Sequence, residues 1–439
     1  MKLLIQGGRV IDPDTGRDGI YDVLVEDGHI SRVGEAASLA VDREEASGEL
    51  RIIDGTGLYV MPGIVDLHVH LRDPGLEYKE TLFTGGRAAA KGGVTTICAM
   101  PNTKPVTDSP ELLRSQTARA KKECLVHVSF VGAVTKGQEG NELTDIAAMK
   151  REGMACISED GKSVMDAKLY QKAMETAARE DVLVLAHCED QNMVRGAVIV
   201  NESERSRSLG IFGVTNAVED VIAARDILLA KETGARLHLC HCSTKDSVRM
   251  VRLAKEAGIP VTAEVCPHHF TLTSGDIPGD DGNYKMNPPL REKEDVEALL
   301  AGLKEGVIDV ISTDHAPHSE EDKAGGFRKA ACGIVGLETS LSIAMTELVH
   351  KGILTPMELA ERMCYTPAKI LGIDRGSLAE GKCADLVLVD PEREAVIRKE
   401  NFVSKGKNTP FDGKHVKGMV VMTIVDGEIV YEEREGFLK

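Results

Sequence analysis

Residues 63–70 read GIVDLHVH, an apolar β-type run that closes with His68 and His70 at alternate positions. A period of two puts both imidazoles on the same side of a strand. Similar runs recur seven times, at 94–100 (VTTICAM), 125–131 (LVHVSFV), 154–158 (MACIS), 182–187 (VLVLAH), 236–241 (RLHLCH), 261–265 (VTAEV) and 307–313 (VIDVIST). Helical patterns lie between them, among them TDIAAMKREG (144–153), AKLYQKAMETAARE (167–180), AVEDVIAARDILLAKETG (217–234), DSVRMVRLAKEAG (246–258) and EDVEALLAGLKEG (294–306). Several open on a capping Asp or Ser and close on Gly. Strand–helix alternation repeated eight times predicts an α/β chain with a (β/α)8 TIM-type barrel, whose site lies where the strands end.

Outside this region the texture changes. The first sixty residues alternate in short segments (LLIQGGRVID at 3–12, DVLVEDGHISRVG at 22–34, LRIIDGTGLYV at 50–60), punctuated by Asp-Gly and Gly-Gly turns. The last sixty repeat the style in ADLVLVD (384–390), GMVVMTIVDG (418–427) and EIVYEE (428–433). The simplest architecture joins both ends, 1–61 plus 373–439, into one small β-sandwich beside a barrel at 62–372. The long irregular stretches at 189–213, 274–292 and 316–337 follow predicted strands and are candidate substrate loops.

Composition narrows the partners. A net charge of -17 and a pI near 5.3 repel phosphate backbones and anionic lipid, and aromatics at 3% with no Trp offer few stacking platforms. Neither nucleic acid nor a membrane is an expected partner. The ten cysteines form no C-x-x-C pair, which fits a reduced, cytoplasmic compartment. The N-terminal MKLLIQGGRVIDPDTG carries too short an apolar stretch for a signal peptide, and no run reaches the roughly 18 apolar residues of a membrane span. An anionic small substrate would need a cationic pocket set against this acidic background.

The ends of the predicted strands carry the chemistry. His187 closes the fifth, His241 the sixth, and Asp314 follows the eighth, so four imidazoles and a carboxylate converge on one barrel mouth. That donor set suits a zinc-type cation. Cys188 and Cys242 directly follow two of these histidines and fall one residue off the ligand face. By the same alternation His315 packs or orients its neighbours; His268 and His269, at the end of the seventh strand, are candidates to support the ligands, and His127 and His238, within strands, read as satisfied core residues.

PGIVDLHVHLRDPG (62–75), AMPNT (99–103), NPPLR (287–291), STDHAPHS (312–319), GIVGLETSL (333–341) and KNTPFDG (407–413) together resemble type I dihydroorotases of the amidohydrolase superfamily, over essentially the whole chain. DLHVHLRDPG is shared in part with hydantoinases and allantoinases; the other segments are more specific. The resemblance implies that His68, His70 and Asp314 hold one metal and that His187 and His241 hold a second, giving two zinc ions with a single ion as the alternative. Many relatives bridge the pair with a carboxylated lysine on the fourth strand, where this chain has Ala155 and Cys156. Asp160 is the implied bridge, Lys162 its rival, and a turn before Gly161 its plain reading.

The resemblance further implies reversible cyclisation of N-carbamoyl-L-aspartate to L-dihydroorotate, the third step of de novo UMP synthesis. Asp314 is the implied proton shuttle. Arg72, Asn102 and His318 would bind the substrate carboxylate, and Asn287 the ring amides. Arg72 also reads as a partner of Asp73, and Asn102 as a cap after Pro101. One departure stands at Ala330-Ala331-Cys332, where relatives carry Ala-Pro-Phe or something close. The rivals are a hydantoinase or allantoinase and a non-catalytic scaffold for aspartate carbamoyltransferase. An enzyme of this type is expected to be a homo-oligomer and can associate with that transferase.

Overall fold

The computed structural model describes residues 2–35 and 50–438. Positions 36–49, part of the expected N-terminal β piece, lie outside the described residues. In chain order β1 (Lys2–Asp12), β2 (Arg17–Glu26), β3 (His29–Glu35), β4 (Leu50–Asp54) and β5 (Tyr59–Pro62) lead into the barrel. β1 pairs antiparallel with β2 along one edge, and parallel with β4 and then β5 along the other.

The barrel strands are β6 (Ile64–Val69), β7 (Val94–Ala99), β8 (His127–Ala133), β9 (Cys156–Ser158), β10 (Leu183–Ala186), β11 (Leu237–Leu239), β12 (Val261–Val265) and β13 (Val310–Ile311). They pair in parallel and in sequence. Closure comes just beyond the strands, through a parallel bridge between Val69 and His315 and the His70 N–H donating to His315 O at 2.8 Å. Inside, Cys98, Val131, Cys156, Leu185, Cys240 and Val310 share one buried cluster.

Helices cover the outside as their apolar spacing requires. Val218, Ile222, Ile227 and Ala230 are buried along Ala217–Thr233, and Val248, Val251 and Ala254 along Lys245–Glu256. Asp166 caps Ala167–Arg179 by accepting from two backbone N–H groups. Gly234 ends Ala217–Thr233 at φ 73°, a left-handed turn that glycine adopts without steric cost.

The chain then returns as β14 (Leu386–Val396), β15 (His415–Val425), β16 (Glu428–Glu432) and β17 (Gly436–Phe437). β14 pairs antiparallel with β5, so both ends of the chain form one nine-stranded sheet. Its halves face each other: Leu3, Val23 and Ile30 share a core with Leu386, Met422 and Ile429. The architecture is a TIM barrel with a terminal β-sandwich.

The strand limits differ from the sequence reading in a way that matters for function. β10, β11 and β13 stop at Ala186, Leu239 and Ile311, so His187, His241 and Asp314 lie past the ladders, not in them. His241 at φ 35° and Asp314 at φ 48° occupy left-handed backbone that cannot continue a parallel ladder. The third strand is shifted forward, beginning at His127 and extending to Ala133, where it pairs with β9.

Candidate metal centre

Asp160 sits two residues beyond β9, its N–H donating to Ser158 Oγ at 3.0 Å. Its Oδ1 lies 3.1 Å from His68 Nε2 and its Oδ2 3.4 Å from His70 Nε2. On the other side Oδ1 lies 3.6 Å from His187 Nδ1 and 3.7 Å from His241 Nε2, while those two nitrogens are 3.0 Å apart. Asp314 Oδ1 faces the first pair, 3.1 Å from His70 Nε2 and 3.6 Å from His68 Nε2. All six side chains are buried.

This donor set fits metal. His68 Nε2 is buried without a hydrogen-bond partner although two carboxylates flank it. The two facing imidazole nitrogens of His187 and His241 lie 3.6 and 3.7 Å from the same carboxylate oxygen. Separations of 3.0–3.7 Å are comparable to the edges of a coordination shell with bonds of about 2.0–2.2 Å. The Lys162 ammonium instead donates to Gln138 O at 2.9 Å, and Cys188 and Cys242 turn their thiols toward backbone carbonyls.

Electrostatics agree. Burial opposes charge on the Asp160 carboxylate, but His68, His241 and His70 outweigh it and hold the group well below its ordinary range. Asp314 likewise overcomes burial through His70 and His68 and drops to about 2. Burial, then Arg72, pushes His70 down. Two ionised carboxylates among four buried imidazoles thus form a strongly polar centre in an apolar barrel.

Sequence reasoning missed Glu264. It lies on β12, with Oε1 3.2 Å from His68 Nδ1 and 3.2 Å from the donating His241 N–H. Its Oε2 is 3.2 Å from His238 Nε2, whose Nδ1 is 2.8 Å from Thr262 Oγ1, so His238 is satisfied as expected. A carboxylate behind a ligating histidine fixes ring orientation and tautomer. The available signal was a lone acid inside an otherwise apolar run, VTAEV.

Asn102 does not cap a turn. Its Oδ1 is 2.8 Å from His70 Nδ1, and its Nδ2 donates to Asp160 Oδ2 at 3.1 Å. Arg72 does not pair with Asp73, whose carboxylate is bound by Arg119 at 2.6 Å. At φ 60°, Arg72 reaches Pro317 O at 3.4 Å and His318 Nε2 at 3.5 Å. His318 Nε2 donates to Cys332 O at 2.9 Å, so the departing Ala330-Ala331-Cys332 segment packs against this histidine. Asn287 Nδ2 donates to Glu189 Oε2 at 2.5 Å, and that oxygen is 3.9 Å from His187 Nε2.

The remaining histidines divide. His315 orients neighbours, with Nδ1 accepting the Gly336 N–H at 3.1 Å and Nε2 3.4 Å from Glu80. His269 Nε2 donates to Pro288 O at 2.9 Å, pinning the segment that carries Asn287. His127 is not a core residue: half-buried at the start of β8, it faces Asp385 and Asp426, each at 3.3 Å, across the seam with the sandwich. Its strand begins at the seam because Leu125 and Val126 belong to the preceding connection.

Comparison with known proteins resolves the family. Residues 57–247 match the family model described as dihydro-orotase-like. A dihydroorotase of Pelotomaculum thermopropionicum is 45% identical over 434 residues, covering 99% of each chain. One from Pelobacter propionicus is 46% identical over 431 residues, covering 98% of this chain and 100% of the relative. The chain belongs to the dihydroorotase family. Among solved structures, the L-hydantoinase (dihydropyrimidinase) of Arthrobacter aurescens superposes with a TM-score of 0.88 at 29% identity, covering 98% of this chain and 96% of that one. Dihydroorotase and hydantoinase architectures therefore coincide here, and the chain is a cyclic amidohydrolase by sequence and by fold. This dihydroorotase-family barrel carries no lysine on β9, which spans Cys156–Ser158.

Proposed function

We propose that this chain is a zinc-dependent dihydroorotase that interconverts N-carbamoyl-L-aspartate and L-dihydroorotate. The observation that carries the reading is the Asp160 carboxylate, which approaches four imidazoles within 3.7 Å where a hydantoinase-type site would use a strand lysine. His68, His70 and Asp314 would hold one zinc, His187 and His241 a second, and Asp160 would span them. When bound, zinc supplies Lewis acidity toward water and an amide carbonyl.

The chain's own groups account for the rest. Asp314 is ionised at neutral pH, because its pKa is near 2, and so can accept the proton of the attacking water. In hydrolysis it passes that proton to the departing ring nitrogen; in ring closure it removes the proton from the carbamoyl nitrogen. Arg72 offers a planar guanidinium to the substrate carboxylate. His318 and the second amide hydrogen of Asn102 complete that contact, and the Asn287 carbonyl is left to accept a ring N–H.

Assay of ring closure on carbamoyl-aspartate, alongside hydantoin and with zinc quantified, tests the reading. Turnover of carbamoyl-aspartate in proportion to bound zinc is expected; turnover of hydantoin alone overturns it. The complete donor set argues against a scaffold that has lost its chemistry. No helix among the described residues is long and apolar enough to cross a membrane. We extend the proposal to a cytoplasmic homo-oligomer able to associate with aspartate carbamoyltransferase, which sedimentation of the chain with and without that enzyme checks.

A further inference from the structure

His318 is held from both sides of its ring. On one side Lys79 Nζ lies 3.1 Å from Nδ1; on the other Nε2 lies 2.9 Å from Cys332 O and 3.5 Å from Arg72 Nη2. An ammonium has hydrogens to give and no lone pair to offer, so Nδ1 must be the acceptor. A carbonyl only accepts, so Nε2 must carry the hydrogen. The two closest contacts agree on a single neutral tautomer, and Arg72 Nη2, also a donor only, stands back at 3.5 Å from Nε2.

We propose that Lys79 is a positioning residue for the substrate carboxylate, fixing His318 as the Nε2–H tautomer so that its one hydrogen points to the side occupied by Arg72. This rests on the assignment of Arg72 and His318 to the carboxylate. The opposite tautomer would turn a lone pair toward an incoming anion and repel it. With Nε2–H in place, an arriving carboxylate meets the guanidinium and an imidazole hydrogen together, taking the latter from Cys332 O.

The surroundings keep the ring neutral. Arg72 and Lys79 face it from the segment after β6, Asp322 and Lys323 from the segment after β13, and Cys332 from the next loop; Asn408, from the C-terminal segment, is uncharged. Burial comes first, and Arg72, Lys79 and Lys323 add to it, lowering the His318 pKa to about 2. Lys79 is itself held by Asp322 Oδ2 at 3.1 Å, with only 12% of its side chain exposed. The ammonium thus has a defined seat from which to direct the imidazole.

The test reads the tautomer and the kinetics in the full-length, zinc-loaded protein. In 15N-histidine-labelled wild type, with His318→Gln supplying the assignment, the ring should show Nε2–H and no titration between about pH 5 and 8. Lys79→Met should mix in the Nδ1–H form and raise KM for carbamoyl-aspartate about tenfold with kcat and zinc content little changed. Lys79→Arg, again a donor only, should restore the tautomer and most of the KM. If Lys79→Met does not fold, Lys79→Leu, likewise without a donor, carries the same comparison. A wild-type ring protonated on Nδ1, or a Lys79→Met protein with either KM or tautomer unaltered, overturns the proposal. Ring signals are read without turnover, so failure of the dihydroorotase assignment is distinguishable from failure of this one.

Discussion

At the scale of single residues, the centre depends on carboxylates that differ in what stands behind them. Asp314 contacts His70 and His68, while Asp160 reaches all four imidazoles. Asp314→Asn should therefore abolish ring closure, falling by about 100-fold or more, yet retain part of the zinc, because an amide oxygen still ligates but cannot take a proton. Parallel rate and metal measurements check this, and a near-normal rate removes Asp314 as the shuttle. Glu264 acts one layer out. Glu264→Gln removes the anion supporting His68 and should weaken zinc binding by about 10–100-fold, read by competition with a chromophoric chelator. The proposed ligands were legible because histidines and a carboxylate recur at the ends of separate apolar runs, whereas His68 and His70 alone would read equally well as buried, hydrogen-bonded residues. Glu264 was not, since an acid in VTAEV reads equally well as a solvent-facing residue until the barrel closes around it.

Secondary elements determine how the site is presented. Short β10, β11 and β13 release His187, His241 and Asp314 into connecting backbone. Pattern reading carried those strands to 187, 241 and 313 because no turn residue interrupts the runs, whereas φ angles, which no composition reveals, decide where pairing stops. Helix Ala217–Thr233 carries a different consequence. Burial of Asp226 outweighs the help of Arg225 and pushes its carboxyl up to about 6. A carboxyl pKa raised in the folded state contributes stability at acid pH, and that contribution is lost as pH rises from about 4 through 6. Above this window the ionised group costs on the order of 3 kcal/mol. Asp226→Asn should flatten the pH dependence of the unfolding free energy between about pH 4 and 6, and denaturant titrations at several pH values would show it. An unchanged slope assigns the titration elsewhere.

For the molecule as a whole, the implied ligands come from the end of β6 and from segments following β6, β9, β10, β11 and β13, so bound metal would tie together more than half of the barrel. Chelation should lower Tm as well as abolish turnover, since a ligand at a thousand times its Kd stabilises the folded state by about 4 kcal/mol. Calorimetry before and after exhaustive chelation checks it; loss of activity with an unmoved Tm confines the metal to chemistry. The barrel and the pairing of the two chain ends could be read from strand texture alone. The single continuous sheet could not, because the choice of neighbour, β14 against β5, is a long-range contact with no local sequence mark.

That pairing of β5 with β14 has an implication for biosynthesis. A nascent chain exposes the free side of β5 from the time the barrel begins to emerge until residues 386–389 leave the ribosome. Throughout that interval an unfilled hydrogen-bonding edge lies beside the enzyme's first barrel strand, open to any passing extended segment. Truncated products ending before Leu386 would retain this adhesive border permanently, so clearance of incomplete chains matters more here than in a barrel whose flanking sheet is finished before it.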